Sequence, residues 1–267
     1  EDLETIATAF ARQQADQQVR YSEATFTAGT HVGNGMDPEA MWEALADGFA
    51  AVPEVSIGII VDAVRNLGVA AAEATVQLVE QGLEVAPIVG LGLTGIEGSE
   101  PEGAFRLLRQ AADRLGLGLA AHAGETGTPD NVRAAIDDLG ADRIGHGIAV
   151  AQDPALLERV VAAGVPFEIC PSSNVKLGIV GSLDDHPLGP LWRAGLQVTI
   201  NSDDPPFFDT TLTQELQHAA RIADLDRADL AESQRRAIRA AFTDRSTRTR
   251  ILAEIDAWER DLGTAGA

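Results

Sequence analysis

Short apolar runs alternate along this chain with longer stretches in which Ala, Leu, Glu and Arg recur at helical spacing. The runs at 20–27, 55–62, 85–93, 117–122, 142–146, 166–170 and 196–202 predict seven strands. Between them, helix starts stand at Asp37-Pro38-Glu39, Thr128-Pro129-Asp130 and Asp153-Pro154, where an oxygen-bearing cap precedes a proline suited to a first turn. A strand about every 25–35 residues is the spacing of repeated βα units, because parallel neighbours need a crossover long enough to hold a helix. The pattern therefore predicts an α/β fold on a parallel sheet, and right-handed crossovers leave either a closed barrel or an open doubly wound sheet. Seven strands are one short of the eight of a (β/α)8 barrel. Beyond Pro205 the pattern predicts extra C-terminal helices over 213–224, 227–242 and 246–262, with no further strand. No linker or low-complexity stretch intervenes, so residues 1–267 read as a single domain.

Composition narrows the picture. The chain has 267 residues, 45% of them hydrophobic and only 4% aromatic, so its core is built from Ala, Val, Leu and Ile, as suits buried parallel strands. A formal net charge of −21 excludes nucleic acid and anionic membrane surfaces as main partners, since like charges repel. Arginines between positions 235 and 250 read as the charged faces of surface helices rather than as a binding patch. One cysteine, Cys170, excludes an internal disulfide framework and fits a cytoplasmic setting. No apolar run approaches the roughly 20 residues of a membrane span. The opening Glu1-Asp2-Leu3-Glu4 has neither the basic nor the apolar region of a signal peptide and reads as the inside of a helix. A small-molecule ligand and a homo-oligomer are both compatible with these features.

Chemistry-bearing residues gather just past the predicted strands. His122-Ala123-Gly124-Glu125 follows the fourth, Gly145-His146-Gly147 the fifth, and Asn201-Ser202-Asp203-Asp204-Pro205 the last. In a parallel α/β fold this is where catalytic groups stand. His122 and Asp203 are the donor types of a catalytic zinc, which takes three or more N/O ligands and keeps one position open. Taken singly, a histidine there is also a hydrogen-bonded structural residue, and an aspartate a turn or helix cap. Glu125 is placed to shuttle protons, and His146 to orient or deprotonate a water. Asp203-Asp204 would repel if both were buried and ionised, which favours a cation beside Asp203. Gly90-Leu91-Gly92-Leu93-Thr94-Gly95 is a weak phosphate- or dinucleotide-type pattern, and the alternative is a glycine whose bare N–H approaches a planar ligand. Cys170-Pro171-Ser172-Ser173-Asn174 is a pocket rim or a turn, and His31 ends the first strand. His186 reads as a helix-start residue and His218 as a surface one.

In ordered combination, His122-Ala123-Gly124-Glu125, Arg143-Ile144-Gly145-His146-Gly147 and Asn201-Ser202-Asp203-Asp204-Pro205 resemble the adenosine deaminase family of zinc aminohydrolases. Tyr21 to Phe26, Gly92 to Glu97 and Cys170 to Asn174 extend the resemblance over nearly the whole chain. It implies a (β/α)8 barrel and hydrolytic deamination of adenosine or a closely related 6-aminopurine nucleoside, with adenine and aminodeoxyfutalosine as competing substrates. By the same resemblance, His122 and Asp203 are zinc ligands and Glu125 protonates the purine N1. His146 orients the attacking water and stabilises its charge, Asp204 bonds N7, and the Gly95 N–H meets N3. The family's first strand carries a His-x-His pair of zinc ligands, and no such pair occurs here. The expectation is that an N-terminal segment bearing that strand is absent through truncation, cleavage or disorder.

Two other readings compete. One is a metal-free binding relative, which the retained Glu125, His146 and Asp204 disfavour, because a binder needs no proton shuttle. The other is a barrel hydrolase with a carboxylated lysine ligand. The lone lysine, Lys176, lies in the rim segment and not at a strand centre.

Overall fold

The computed structural model describes residues 1–265, and side chains as far as residue 260. Seven parallel strands form: β1 (Tyr21–Phe26), β2 (Ser56–Val64), β3 (Ile88–Thr94), β4 (Gly118–His122), β5 (Arg143–Gly145), β6 (Pro166–Ile169) and β7 (Gln197–Ile200). Each begins or ends within a few residues of its predicted run. The chain divides into two compact units, Glu1–Ala121 with Ala134–Ala141, and His122–Arg133 with everything from Asp142 onward.

In the first unit β1, β2, β3 and β4 pair in sequence order, with a one-residue slip in the β2–β3 register at Ile59/Ile60. In the second, β5, β6 and β7 do the same. A doubly wound sheet reverses its strand order at a switch point, and neither unit contains one. The order is that of a barrel, each strand laid beside the one before it. β2 is buried along nearly its whole length, as expected of a parallel strand covered on both faces. Glycine sets the spacing between β2 and β3. A Cβ on Gly92 would lie 2.9 Å from the Asp62 Cβ and 3.2 Å from the Ile60 Cγ2. Beyond β2, the buried Arg65 guanidinium donates to the Glu102 carboxylate at 3.1 and 3.2 Å, and burial raises the pKa of Glu102 against the pull of Arg65.

The anticipated helix starts form. Asp37 accepts from the Ala40 N–H at 3.0 Å, and Asp153 accepts from the N–H groups of Ala155 and Leu156 at 3.1 and 3.0 Å. At Thr128 the direction is reversed: its own N–H donates to the Asn131 side-chain oxygen at 3.0 Å.

The three C-terminal helices, Leu212–Ala223, Arg227–Ala240 and Arg245–Ala265, belong to the second unit. Two tail arginines pair with carboxylates, as expected: Arg250 with Glu254 on an exposed face, and the largely covered Arg235 with Asp256 and Glu259. Arg236 differs. It lies over the Trp192 ring, 4.1 Å from its centroid, and donates to the Leu196 carbonyl at 3.0 Å, so it packs its helix against the entry to β7. Arg143 on β5 likewise reaches the Ala240 carbonyl at 2.9 Å and stacks over Phe242. Among the described residues, no helix is long and apolar enough to cross a membrane.

Substituting Gly92→Val tests the tight β2–β3 spacing. The added methyl groups must displace β2, and a stability loss of about 1–3 kcal/mol is expected, read as a lowered thermal midpoint by circular dichroism. An unchanged midpoint would mean that the two strands have room to spare.

Candidate active site

The second unit gathers its chemistry at the carboxyl ends of its strands. His122 closes β4, and His146 and Cys170 directly follow β5 and β6. Asp203 lies just beyond β7. Backbone pairing carries on past the strands: Ala123 N–H donates to Gly145 O at 3.3 Å, His146 N–H to Glu168 O at 3.0 Å, and Asn201 N–H to Ile169 O at 2.9 Å. These bonds hold successive strand ends side by side where the functional side chains emerge.

His146 is the hub. Its Nδ1 lies 3.6 Å from Glu125 Oε1, its Nε2 lies 3.8 Å from Asp203 Oδ2, and its ring centroid is 4.9 Å from that of His122. Gly145 makes the His122–His146 approach feasible, because a Cβ there would stand 3.0 Å from the His122 Nδ1. His146 is almost fully buried. Burial first, and the neighbouring His122 second, push its pKa well below the ordinary histidine value, so the ring is neutral near pH 7.

Two of the site residues occupy the left-handed backbone region, His146 at φ 58° and Asp203 at φ 54°. For residues with a Cβ this conformation costs on the order of 1–3 kcal/mol and collects at functional sites. Here it turns both side chains at the strand ends.

His146, Cys170 and Asp203 each present a ligand-type atom, all within 4.8 Å of one another. Cys170 was not singled out as a donor from sequence. Its thiol is buried, and burial, reinforced by the nearby carboxylates, raises its pKa well above the usual range. Its Sγ donates to the Glu168 carbonyl at 3.5 Å. The imidazole and carboxylate of this cluster are the N/O donors a metal ion takes, and the thiol sulfur is a softer one beside them. Of the two ligands expected from sequence, Asp203 belongs to this group, while His122 lies beside it through His146. Asp203 is oriented by the Ser173 hydroxyl, which donates to Oδ2 at 2.6 Å. Ser173 stands on the short helix Pro171–Lys176, and that helix is tied down in turn. Glu215, itself buried, accepts the Ser172 N–H at 3.0 Å and the Thr210 hydroxyl at 2.5 Å. From sequence Ser173 was read only as part of a rim or turn, and Glu215 had no signal at all.

Asp204 sits differently from its neighbour. Asp203 is half-buried but Asp204 is exposed, at the N-terminus of the turn Pro205–Phe208. Water screens the pair, so their adjacency alone does not require a cation. Gly95 belongs to the first unit. It adopts φ 88°, and a Cβ on it would lie 2.6 Å from the Asn66 side-chain oxygen, which accepts the Ile96 N–H at 3.2 Å. His31 stacks on Phe26 in the same unit, ring centroids 4.8 Å apart.

Replacing Ser173 by alanine should lower zinc affinity by about 10–100-fold, the usual cost of losing a group that orients a ligand carboxylate. Competition with a chromophoric chelator measures it, and unchanged affinity would remove either Ser173 from the support or Asp203 from the ligands.

Comparison with known proteins bears on the family and the fold. The adenosine deaminase family model matches residues 1–258. Aminodeoxyfutalosine deaminase of Streptomyces avermitilis is 40% identical over 263 residues, covering 97% of this chain and 73% of the relative. Adenine deaminase of Streptomyces coelicolor is 37% identical over 262 residues, covering 96% and 76%. The crystal structure of adenine deaminase from Arthrobacter aurescens superposes with a TM-score of 0.86 at 30% identity, over 97% of this chain and 80% of that one. The fold is thus of the (β/α)8-barrel type, with seven strands among the described residues. The chain belongs to the adenosine deaminase family of hydrolytic aminohydrolases.

Proposed function

We propose that this protein is a zinc-dependent deaminase that replaces the 6-amino group of a small 6-aminopurine compound by oxygen and releases ammonia. The observation that carries the reading is His146 set between two carboxylates, Glu125 at 3.6 Å and Asp203 at 3.8 Å, beside His122. Such a group of acid, imidazole and ligand side chains on one set of strand ends supports hydrolysis better than simple binding.

His122 and Asp203 would hold the ion. When bound, zinc supplies a water acidic enough to act as a nucleophile near neutral pH. No His-x-His pair is present in this sequence, so the further ligands implied by the family resemblance are not among residues 1–267. The remaining roles fall to the chain's own side chains. Glu125 delivers a proton to the ring nitrogen next to C6, so water adds there without leaving a bare ring anion. His146 faces the incoming oxygen through Nε2. Asp204 lies exposed next to Asp203, where it would hydrogen-bond the imidazole edge of the purine. One water enters, the C6–N bond breaks, ammonia departs and a 6-oxopurine remains.

For the substrate we favour an aminodeoxyfutalosine-type nucleoside, supported by the 40% identity to the Streptomyces avermitilis enzyme of that name. Adenine is the second reading, supported by the 37% identity to an adenine deaminase. Adenosine, the first expectation from sequence, ranks behind both. A cytoplasmic setting is part of the proposal, supported by the free, buried thiol of Cys170.

Steady-state ammonia release from aminodeoxyfutalosine, adenine and adenosine tests the order, with the highest kcat/KM expected for the first. Zinc-loaded protein that acts on none of the three would overturn the proposal. Glu125→Gln should cut kcat by about 10²–10⁴-fold with zinc content unchanged. Normal turnover in that variant would rule out the proton-donor role.

A further inference from the structure

A buried chain of hydrogen bonds reaches His146 from the side away from Asp203. The Leu188 N–H donates to His186 Nδ1 at 3.1 Å, His186 Nε2 lies 3.1 Å from Asn174 Oδ1, and Asn174 Nδ2 lies 3.3 Å from His146 Nδ1. His186 stands just before the helix Leu188–Arg193, as its sequence position suggested, yet the residue is only 4% exposed and Asn174 is fully buried.

The chain has a fixed direction. A backbone N–H can only donate, so His186 Nδ1 is an acceptor, and a neutral imidazole then carries its proton on Nε2. Burial lowers the His186 pKa to about 4, which keeps that ring neutral at physiological pH. His186 therefore donates to Asn174 Oδ1. An amide that shows its oxygen to one neighbour shows its NH2 to the other, so Asn174 donates to His146 Nδ1. The reverse setting would press two donors together. The Glu125 oxygen, 3.6 Å from the same nitrogen, stands beyond hydrogen-bond reach. With Nδ1 accepting, the His146 proton is on Nε2, the nitrogen facing Asp203.

We propose that His186 and Asn174 are positioning residues that hold His146 as the Nε2–H tautomer, making it a hydrogen-bond donor to the oxygen added at C6 and not a base. The donor role rests on the deaminase reading above; the tautomer does not. In this state His146 has no free lone pair toward the reacting atoms, so it stabilises the negative charge growing on that oxygen without taking a proton from it.

Two-bond 1H–15N correlation spectra of the histidine rings, taken on the full chain in zinc-containing buffer, read the tautomer directly. His146 should be protonated at Nε2 and bare at Nδ1. Asn174→Asp turns an acceptor toward Nδ1 and should move the proton there, with kcat lowered about 10²–10³-fold and KM little changed. His186→Leu frees the amide to turn and should give a tautomer mixture, whereas His186→Gln keeps a donor and should restore the single form. An Nδ1-protonated His146 in the unsubstituted protein, or the same tautomer after Asn174→Asp, overturns the relay. The first of these readings needs no variant to fold. The expected tautomer shift with kcat undiminished overturns the donor role instead. Ammonia release by the unsubstituted protein, measured separately, shows whether the deaminase reading itself has failed.

Discussion

Parallel strands bring their carboxyl ends to one edge of a sheet, and in the second unit that edge carries His146, Cys170 and Asp203, with His122 ending the strand beside them. The alignment is enforced by backbone hydrogen bonds that persist past each strand, at Ala123, His146 and Asn201. Everything proposed for this site depends on it. Shifting any one of these strands by a residue would turn its terminal side chain to the opposite face.

The functional side chains are then fixed from behind, each by a group with no place in the chemistry. Ser173 holds Asp203, and Glu215 anchors the helix that bears Ser173. Asn174 meets the remaining nitrogen of His146, and His186 in turn holds Asn174. Such support matters because His146 and Asp203 hold left-handed backbone conformations, which persist only where the surroundings determine them. The short segment Pro171–Lys176 serves both residues, Ser173 facing the carboxylate and Asn174 the imidazole. A segment that from sequence reads as a rim or a turn is thus the backing of the site.

The parts legible in the sequence are those set by local pattern. Strand positions follow from apolar runs, and the caps at Asp37 and Asp153 follow from an oxygen placed ahead of a proline. The candidate residues His122, Glu125, His146 and Asp203 stand out because they sit just past those runs. Partnerships over long chain separations were illegible. Ser173 is 30 residues from Asp203, and the buried Arg65–Glu102 pair spans 37. Nothing local marks which hydroxyl or carboxylate will meet which partner, since that is decided by strand order and rotamer. Burial of individual polar groups was equally hidden. Asp203 and Asp204 look alike in sequence but differ in exposure, and His186 looks like an ordinary helix-start residue although it lies inside.

The central claim is that a divalent cation is held where β4 and β7 end. Crystals of the protein grown with zinc, measured with X-rays on both sides of the zinc absorption edge, test it most directly. The account predicts an anomalous peak about 2.0–2.2 Å from a His122 ring nitrogen and an Asp203 oxygen. A zinc-replete crystal with no peak between those two side chains would contradict it.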